Sequence, residues 1–238
     1  MSGRWMTGDS TTAKLVEKQM RNWEIARSQR IESPATEDEG VAQFLAISRR
    51  PGAGGARLAG MLSETLGWPV FDKQILDAMA GDDTIRRQVY ESMDERDVGW
   101  FEETLRVFMQ GEFETNDYFR QLTHTVLSLA RQGSAIFLGR GIDLILPPSR
   151  GLRVRLIASW ERCAERYAKR HDMTVAEATE QIERHEQQIA EFIRHQFNRD
   201  HTDPTRHDLV VNMDRFTPEE ALDIVVGVLR SRGGEPAA

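Results

Sequence analysis

The stretch Phe44-Leu45-Ala46-Ile47-Ser48-Arg49-Arg50-Pro51-Gly52-Ala53-Gly54-Gly55-Ala56-Arg57-Leu58-Ala59 decides how this chain reads. An apolar run of strand length breaks into a turn holding three glycines, and a helical pattern follows at once. A strand, a tight turn and a helix N-terminus in that order aim backbone N–H groups at one spot, which is how a polypeptide cradles phosphate. The spacing departs from the G-x-x-x-x-G-K-[ST] form of such a loop. Arg49 stands where its first glycine belongs, Gly55 stands where its lysine belongs, and no hydroxyl follows at the usual place. On spacing alone, a glycine turn without a ligand is as good a reading.

Outward from that turn, Arg57 to Leu66 reads as a helix closed by Gly67, and Trp68-Pro69-Val70-Phe71 as a second short strand ending at Asp72-Lys73. Gln74 to Met79 is helical. From Asp82 to Gln132 there is no strand signal, only helical patterns at Ile85 to Met93, Trp100 to Met109 and Tyr118 to Ala130, which predicts a helical insertion. Ala135-Ile136-Phe137-Leu138 is the next strand, followed by a second glycine turn, Gly139-Arg140-Gly141. Leu152 to Ala158 alternates apolar residues with Arg153 and Arg155, a strand with one wetter face. Helices follow at Trp160 to Arg170 and, behind a capping box of Thr174 and Glu177, to about Phe197. After a polar loop, Asp208 to Asn212 reads as a buried-type strand, and Thr217-Pro218-Glu219-Glu220 opens a last helix that ends near Gly233. Short apolar strands alternating with helices predict an α/β fold with a five-stranded parallel sheet covered on both faces.

Ahead of this unit, Val16, Met20 and Trp23 recur at helical spacing within residues 12–30, and Ser33-Pro34 begins a linker. The expected organisation is an N-terminal helix and linker over residues 1–40, a main domain over 41–233 and a tail over 234–238. The helix docks on its own domain or, alternatively, serves as a homodimer or partner contact.

With 238 residues and 39% apolar side chains the chain can build one large core. Lys and Arg number 31 against 38 Asp and Glu, so the net charge of −7 argues against a general nucleic-acid binder and confines any anion site to a local pocket. The single Cys163 rules out an internal disulfide framework. No run approaches the ~20 apolar residues of a membrane span, and the first 30 residues lack the apolar core of a secretory leader. A soluble cytoplasmic protein is the expectation. His185, His195, His201 and His207, with Asp200, Asp203 and Asp208, match no metal-ligand spacing, so no metal site is expected from them.

Taken together, Ile47-Ser48-Arg49…Gly52-Ala53-Gly54-Gly55, Leu66-Gly67-Trp68-Pro69-Val70-Phe71-Asp72-Lys73, Phe137-Leu138-Gly139-Arg140-Gly141 and Asp203-Pro204…Asp208-Leu209-Val210-Val211-Asn212 resemble the cytidylate kinase-like family, P-loop relatives of the nucleoside monophosphate kinases. The resemblance covers about residues 42–230. It implies a three-layer P-loop NTPase-type fold with a lid, and transfer of the γ-phosphoryl group of ATP, with Mg²⁺, to a nucleoside monophosphate such as CMP or another small acceptor. The family's loop is S-R-x-x-G-[SA]-G-G, so the missing lysine is a family trait. By the same resemblance Ser48, Arg49, Gly52, Ala53, Gly54, Gly55 and Arg57 would handle the triphosphate, and Asp72, Lys73 and Arg140 the acceptor. Arg166 and Arg170 would act with Asp72 in catalysis.

Two positions depart from the family pattern. Cys163 stands where E-x-R-x-x-R has its first arginine, and Ile189 replaces the arginine of the lid pattern D-x-x-R, read here as Glu186-Gln187-Gln188-Ile189. Arg162 or Arg194 would be the compensating groups. These substitutions keep a second class open, a nucleotide-binding sensor or interaction module that has the fold without the chemistry. Asp72 also has an ordinary reading as a helix N-cap. Arg140, between two glycines, has no structural duty legible in the sequence, and its guanidinium suits a monophosphate.

Overall fold

A computed structural model describes residues 10–31, 43–91, 117–147 and 150–232. The expected helix at 100–109, the linker at 32–40 and the tail at 234–238 lie outside the described residues. Five parallel strands form one sheet in the order β2-β3-β1-β4-β5: β1 Phe44–Arg49, β2 Val70–Asp72, β3 Ala135–Leu138, β4 Gly151–Ile157 and β5 Leu209–Asn212. The helices are α1 Ser10–Ile31, α2 Gly55–Leu66, α3 Lys73–Gly81, α4 Asp83–Glu91, α5 Asp117–Gln132, α6 Ile142–Ile145, α7 Trp160–His171, α8 Val175–Phe197 and α9 Pro218–Ser231. Among the described residues no helix is long and apolar enough to cross a membrane.

Central β1 is apolar without alternation because helices cover both of its faces. Phe44 and Ala46 point into a core with α3, α5, α6 and the end of α8, where Phe119 meets Phe197 edge to face at 5.2 Å. Leu45 and Ile47 point into the opposite core, with Leu58 and Leu62 of α2, Cys163 of α7 and Val225 of α9. Each fully buried Leu or Phe in these layers contributes about 1.5–3 kcal/mol.

Strand order places the site. β1 pairs with β3 on one side and β4 on the other, so the chain reverses its winding direction beside β1 and leaves a crevice at the carboxyl ends of the strands. The glycine turn after β1 lies there.

Three local expectations are corrected and one element is added. The face of β4 carrying Arg153 and Arg155 is not wet: Arg155 is 9% exposed, and its Nη1 donates to Ser48 Oγ at 2.9 Å. β5 is an edge strand, with Val210 40% exposed. A short helix, α6, follows the second glycine turn, and a 3₁₀ turn, Pro204–Arg206, breaks the polar loop before β5. Both capping boxes read from sequence are formed, at Thr174 with Glu177 and Thr217 with Glu220.

Helix α1 packs on α3 and buries Val16 and Met20 in the core. Its Gln19 Oε1 accepts the Val70 N–H at 3.0 Å, giving a partner to an N–H of edge strand β2, a group that otherwise invites pairing with another chain.

Candidate functional site

The turn Arg50-Pro51-Gly52-Ala53-Gly54 is built by two left-handed glycines, Gly52 at φ 85° and Gly54 at φ 91°. Gly54 caps α2 without a side chain, so the helix presents its first N–H groups, which have no intrahelical acceptors, to the crevice. Gly52 has a second reason to be glycine. A β-carbon there would overlap the main-chain carbonyl of Cys163, because α7 lies directly against the turn.

Arg49 runs through the centre of this arrangement. A β-carbon at Gly55 would sit 2.8 Å from Arg49 Cγ, and one at Gly139 would sit 2.7 Å from Arg49 Nη1. The arginine stem therefore fills the space over the residue that stands in the lysine's place, and its guanidinium reaches the turn after β3. Burial pulls the Arg49 pKa down, opposed by the nearby carboxylates of Asp72 and Glu186. Asp72 itself caps α3, accepting the Ile75 N–H at 3.0 Å.

At the end of β3, Gly139, Arg140 and Gly141 are all left-handed, at φ 87°, 58° and 65°. For arginine that conformation is strained by about 1–2 kcal/mol, and strain of this kind collects at functional sites. The Arg140 side chain is held by Asp77 at 2.5 Å and lies 5.5 Å from the Tyr118 ring and 5.6 Å from Phe192. Tyr118 donates to the same carboxylate at 2.6 Å, and burial with that bond pushes its pKa up.

Arg140, Arg49 and Lys73 open into one cleft with His185, Ile189 and Phe192 of α8. Partial burial, then the positive charges of Lys73 and Arg49, pull the His185 pKa down. The burial part of that shift penalises charge of either sign, whereas the part due to Lys73 and Arg49 is the part that favours an anion. Behind it, a smaller cavity is lined by Ser48, Arg49, Arg155, Arg206, Glu186 and His201. Arg140 Nε, Arg206 Nε and His201 Nε2 are buried without a hydrogen-bond partner, a surplus of polar nitrogens that phosphate oxygens would satisfy. Among the described residues, no group of three His, Cys, Asp or Glu side chains is placed to hold a metal ion.

The second glycine turn is anchored from below. Arg206 and Asp143 form a buried ion pair at 2.5 Å, with side chains 9% and 6% exposed. The pair ties α6, which starts directly after Gly141, to the loop before β5. The His207 side chain is fully buried beside it, 4.0 Å from Asp143, and desolvation pulls its pKa down.

The remaining sequence candidates lie elsewhere. Arg57 pairs with Glu219 on the surface, both side chains more than half exposed. Arg166 donates to the Met213 carbonyl at 3.0 Å, bracing the segment after β5, and Arg170 is exposed in the last turn of α7. Arg162 pairs with Glu165 at 3.9 Å, and Arg194 lines a surface depression with Asn198 and Asp200. The structure thus gathers Ser48, Arg49, Gly52 to Gly55, Asp72, Lys73 and Arg140 at one end of the sheet, and leaves Arg57, Arg162 and Arg170 off it.

Sequence reasoning missed Arg50, Arg155 and Arg206 as members of the site, and had Glu186 only as the acidic position of the lid pattern. Arg50 Nε faces Glu186 Oε2 at 3.4 Å, its Nη1 donates to the Ala158 carbonyl at 3.2 Å, and its guanidinium stacks 4.0 Å over Trp160. Charged residues, Arg153 and Arg155, inside a parallel strand were the available signal for Arg155. The Arg50–Glu186 and Arg206–Asp143 contacts join residues 136 and 63 positions apart, and nothing local marks them.

Comparison with known proteins agrees with the fold. Residues 44–215 match the model of the cytidylate kinase-like family. A cytidylate kinase of Methanothrix thermoacetophila is 28% identical over 188 residues, spanning 79% of this chain and 98% of that protein. A solved structure of an uncharacterised protein from Eubacterium ventriosum superposes with a TM-score of 0.63 at 18% identity, covering 79% of this chain and 98% of that one. With strand order, glycine turn and a family match over most of its length in agreement, the chain belongs to the cytidylate kinase-like family.

Proposed function

We propose that the protein is a phosphotransferase that binds a nucleoside triphosphate, ATP in the first instance, at the turn Gly52–Gly55 and passes its γ-phosphoryl group to a nucleoside monophosphate of the CMP type. One observation carries the reading. The Arg49 guanidinium lies between the donor turn and the Gly139–Gly141 turn, where it can bridge the phosphates on both sides and do the work that lysine does in other loops of this shape.

In this reading the N–H groups of Gly52, Gly54 and Gly55 hold the β-phosphate. Arg140 and Lys73 hold the acceptor phosphate, and Arg49 and Arg155 stabilise charge on the group in flight. Mg²⁺ would arrive on the phosphates and neutralise charge between them. Arg140 is oriented by Asp77 and Tyr118 before any ligand arrives, so little of its side-chain entropy remains to be lost on binding.

A second reading is favoured by a specific feature. Ile189 of α8 lines the acceptor cleft where the family's lid presents an arginine, so a sensor that binds nucleotide without turnover stands as the competitor. The test is ADP formation from ATP and Mg²⁺ across a panel of monophosphate and small alcohol acceptors, run beside calorimetric ATP binding. Acceptor-dependent turnover that disappears in Arg140→Ala supports the kinase. Tight binding without turnover supports the sensor, and no nucleotide binding overturns both.

A further inference from the structure

Glu186 sits in a peculiar place for a carboxylate. Its side chain is 12% exposed, and it projects from α8 onto the arginines of the glycine turn. Its neighbours are Arg50 at 3.4 Å and His201 at 3.7 Å, and its charge is felt by Arg49 and Arg155. A committed charge-assisted bond is about 2.7–2.9 Å long. At these longer separations Glu186 is enclosed by positive charge yet tightly bonded to none of it.

The cations around it exceed it. Arg49, Arg50 and Arg155 stand against Glu186 here, with Asp72 acting on Arg49 as the second carboxylate and Asp143 already paired to Arg206. A polyphosphate offers more charge and more acceptor oxygens to the same groups, at shorter range. Glu186 also shares a face of α8 with Ile189 and Ile193, three and seven positions on, and both of these line the acceptor cleft. One helix thus carries both the carboxylate at the glycine turn and the apolar wall of that cleft.

We propose that Glu186 is an internal counter-anion that holds α8 against the glycine turn, and that the phosphates of a nucleotide bind by displacing it. The helix would then release the acceptor cleft only after the donor is in place. This rests on the reading of Gly52–Gly55 as a triphosphate site, and the test separates the two ideas.

Inorganic tripolyphosphate, and separately ATP with Mg²⁺, are titrated by calorimetry into the wild-type protein and Glu186→Gln, which keeps the shape and removes the charge. Loss of the competitor is expected to tighten binding of both probes about tenfold. Hydrogen exchange on the wild-type protein gives a readout that needs no variant: amides of residues 183–190 should exchange faster when tripolyphosphate saturates the site. Equal or weaker binding by Glu186→Gln overturns the inference while leaving the triphosphate site intact, as does slower or unchanged exchange in the wild type. Absence of binding to either protein overturns the site itself and the inference with it.

Discussion

Replacing Gly55 with lysine would restore the residue that phosphate loops of this shape ordinarily carry, and the structure predicts harm from it. A β-carbon at position 55 meets Arg49 Cγ at 2.8 Å and Cδ at 3.0 Å, against about 3.5–4.0 Å for a relaxed carbon contact. Roughly 0.7 Å must be found. The stem cannot simply swing aside, because its far end is packed over Gly139. Overpacking of this kind costs about 1–3 kcal/mol. Position 55 is helical and not left-handed, so exchanging glycine for lysine also returns up to about 1 kcal/mol of helix propensity.

A double-mutant cycle removes that ambiguity, since the propensity gain is common to both backgrounds. Thermal unfolding of the wild type, Arg49→Ala, Gly55→Lys and the double variant should show Gly55→Lys less harmful in the Arg49→Ala background, with a coupling of about 1–2 kcal/mol. That corresponds to about 2–8 °C in melting temperature for a domain of this size. A cycle additive within about 0.5 kcal/mol would refute the placement of Arg49 over Gly55, and with it the account of how this loop dispenses with lysine.

Arg140→Gly and Arg140→Ala should both abolish acceptor-dependent turnover, yet the glycine variant should unfold about 1 kcal/mol harder, because only alanine keeps the left-handed strain; equal stabilities would contradict the φ of 58°. His185 and His207 both have folded pKa values below their usual 6.5. The unfolded chain therefore binds more protons than the folded one just below that pH, so stability is full above about 6.5 and falls as pH drops through it; melting temperatures flat from pH 7.5 to 5.5 would count against their buried, cation-flanked settings. Gln19→Ala should cost about 1 kcal/mol by leaving the Val70 N–H without its acceptor, and no change on denaturant titration would mean that α1 does not close that sheet edge. Solution mass before and after removal of residues 1–40 tests whether the same helix also joins two copies of the chain.

The order of strands and helices, both capping boxes and the two glycine turns were legible in the sequence, because each is written in neighbouring residues: apolar period, Thr-x-x-Glu, glycine where φ is positive. Asp72 could be read as an N-cap for the same reason. What the sequence could not supply was the identity of the cations facing the turn. Arg49 and Arg57 look alike in a string of letters, yet one passes over Gly55 to Gly139 while the other pairs with Glu219 in solvent. That difference is set by side-chain direction relative to the sheet. Arg155 read as the wet side of a strand because the groups that enclose it, Ser48, Glu186 and Arg206 among them, lie far from it along the chain. Long-range placement alone decided which of many charged residues meet at one point, since a charge acts over a few ångströms of space whatever its distance along the chain.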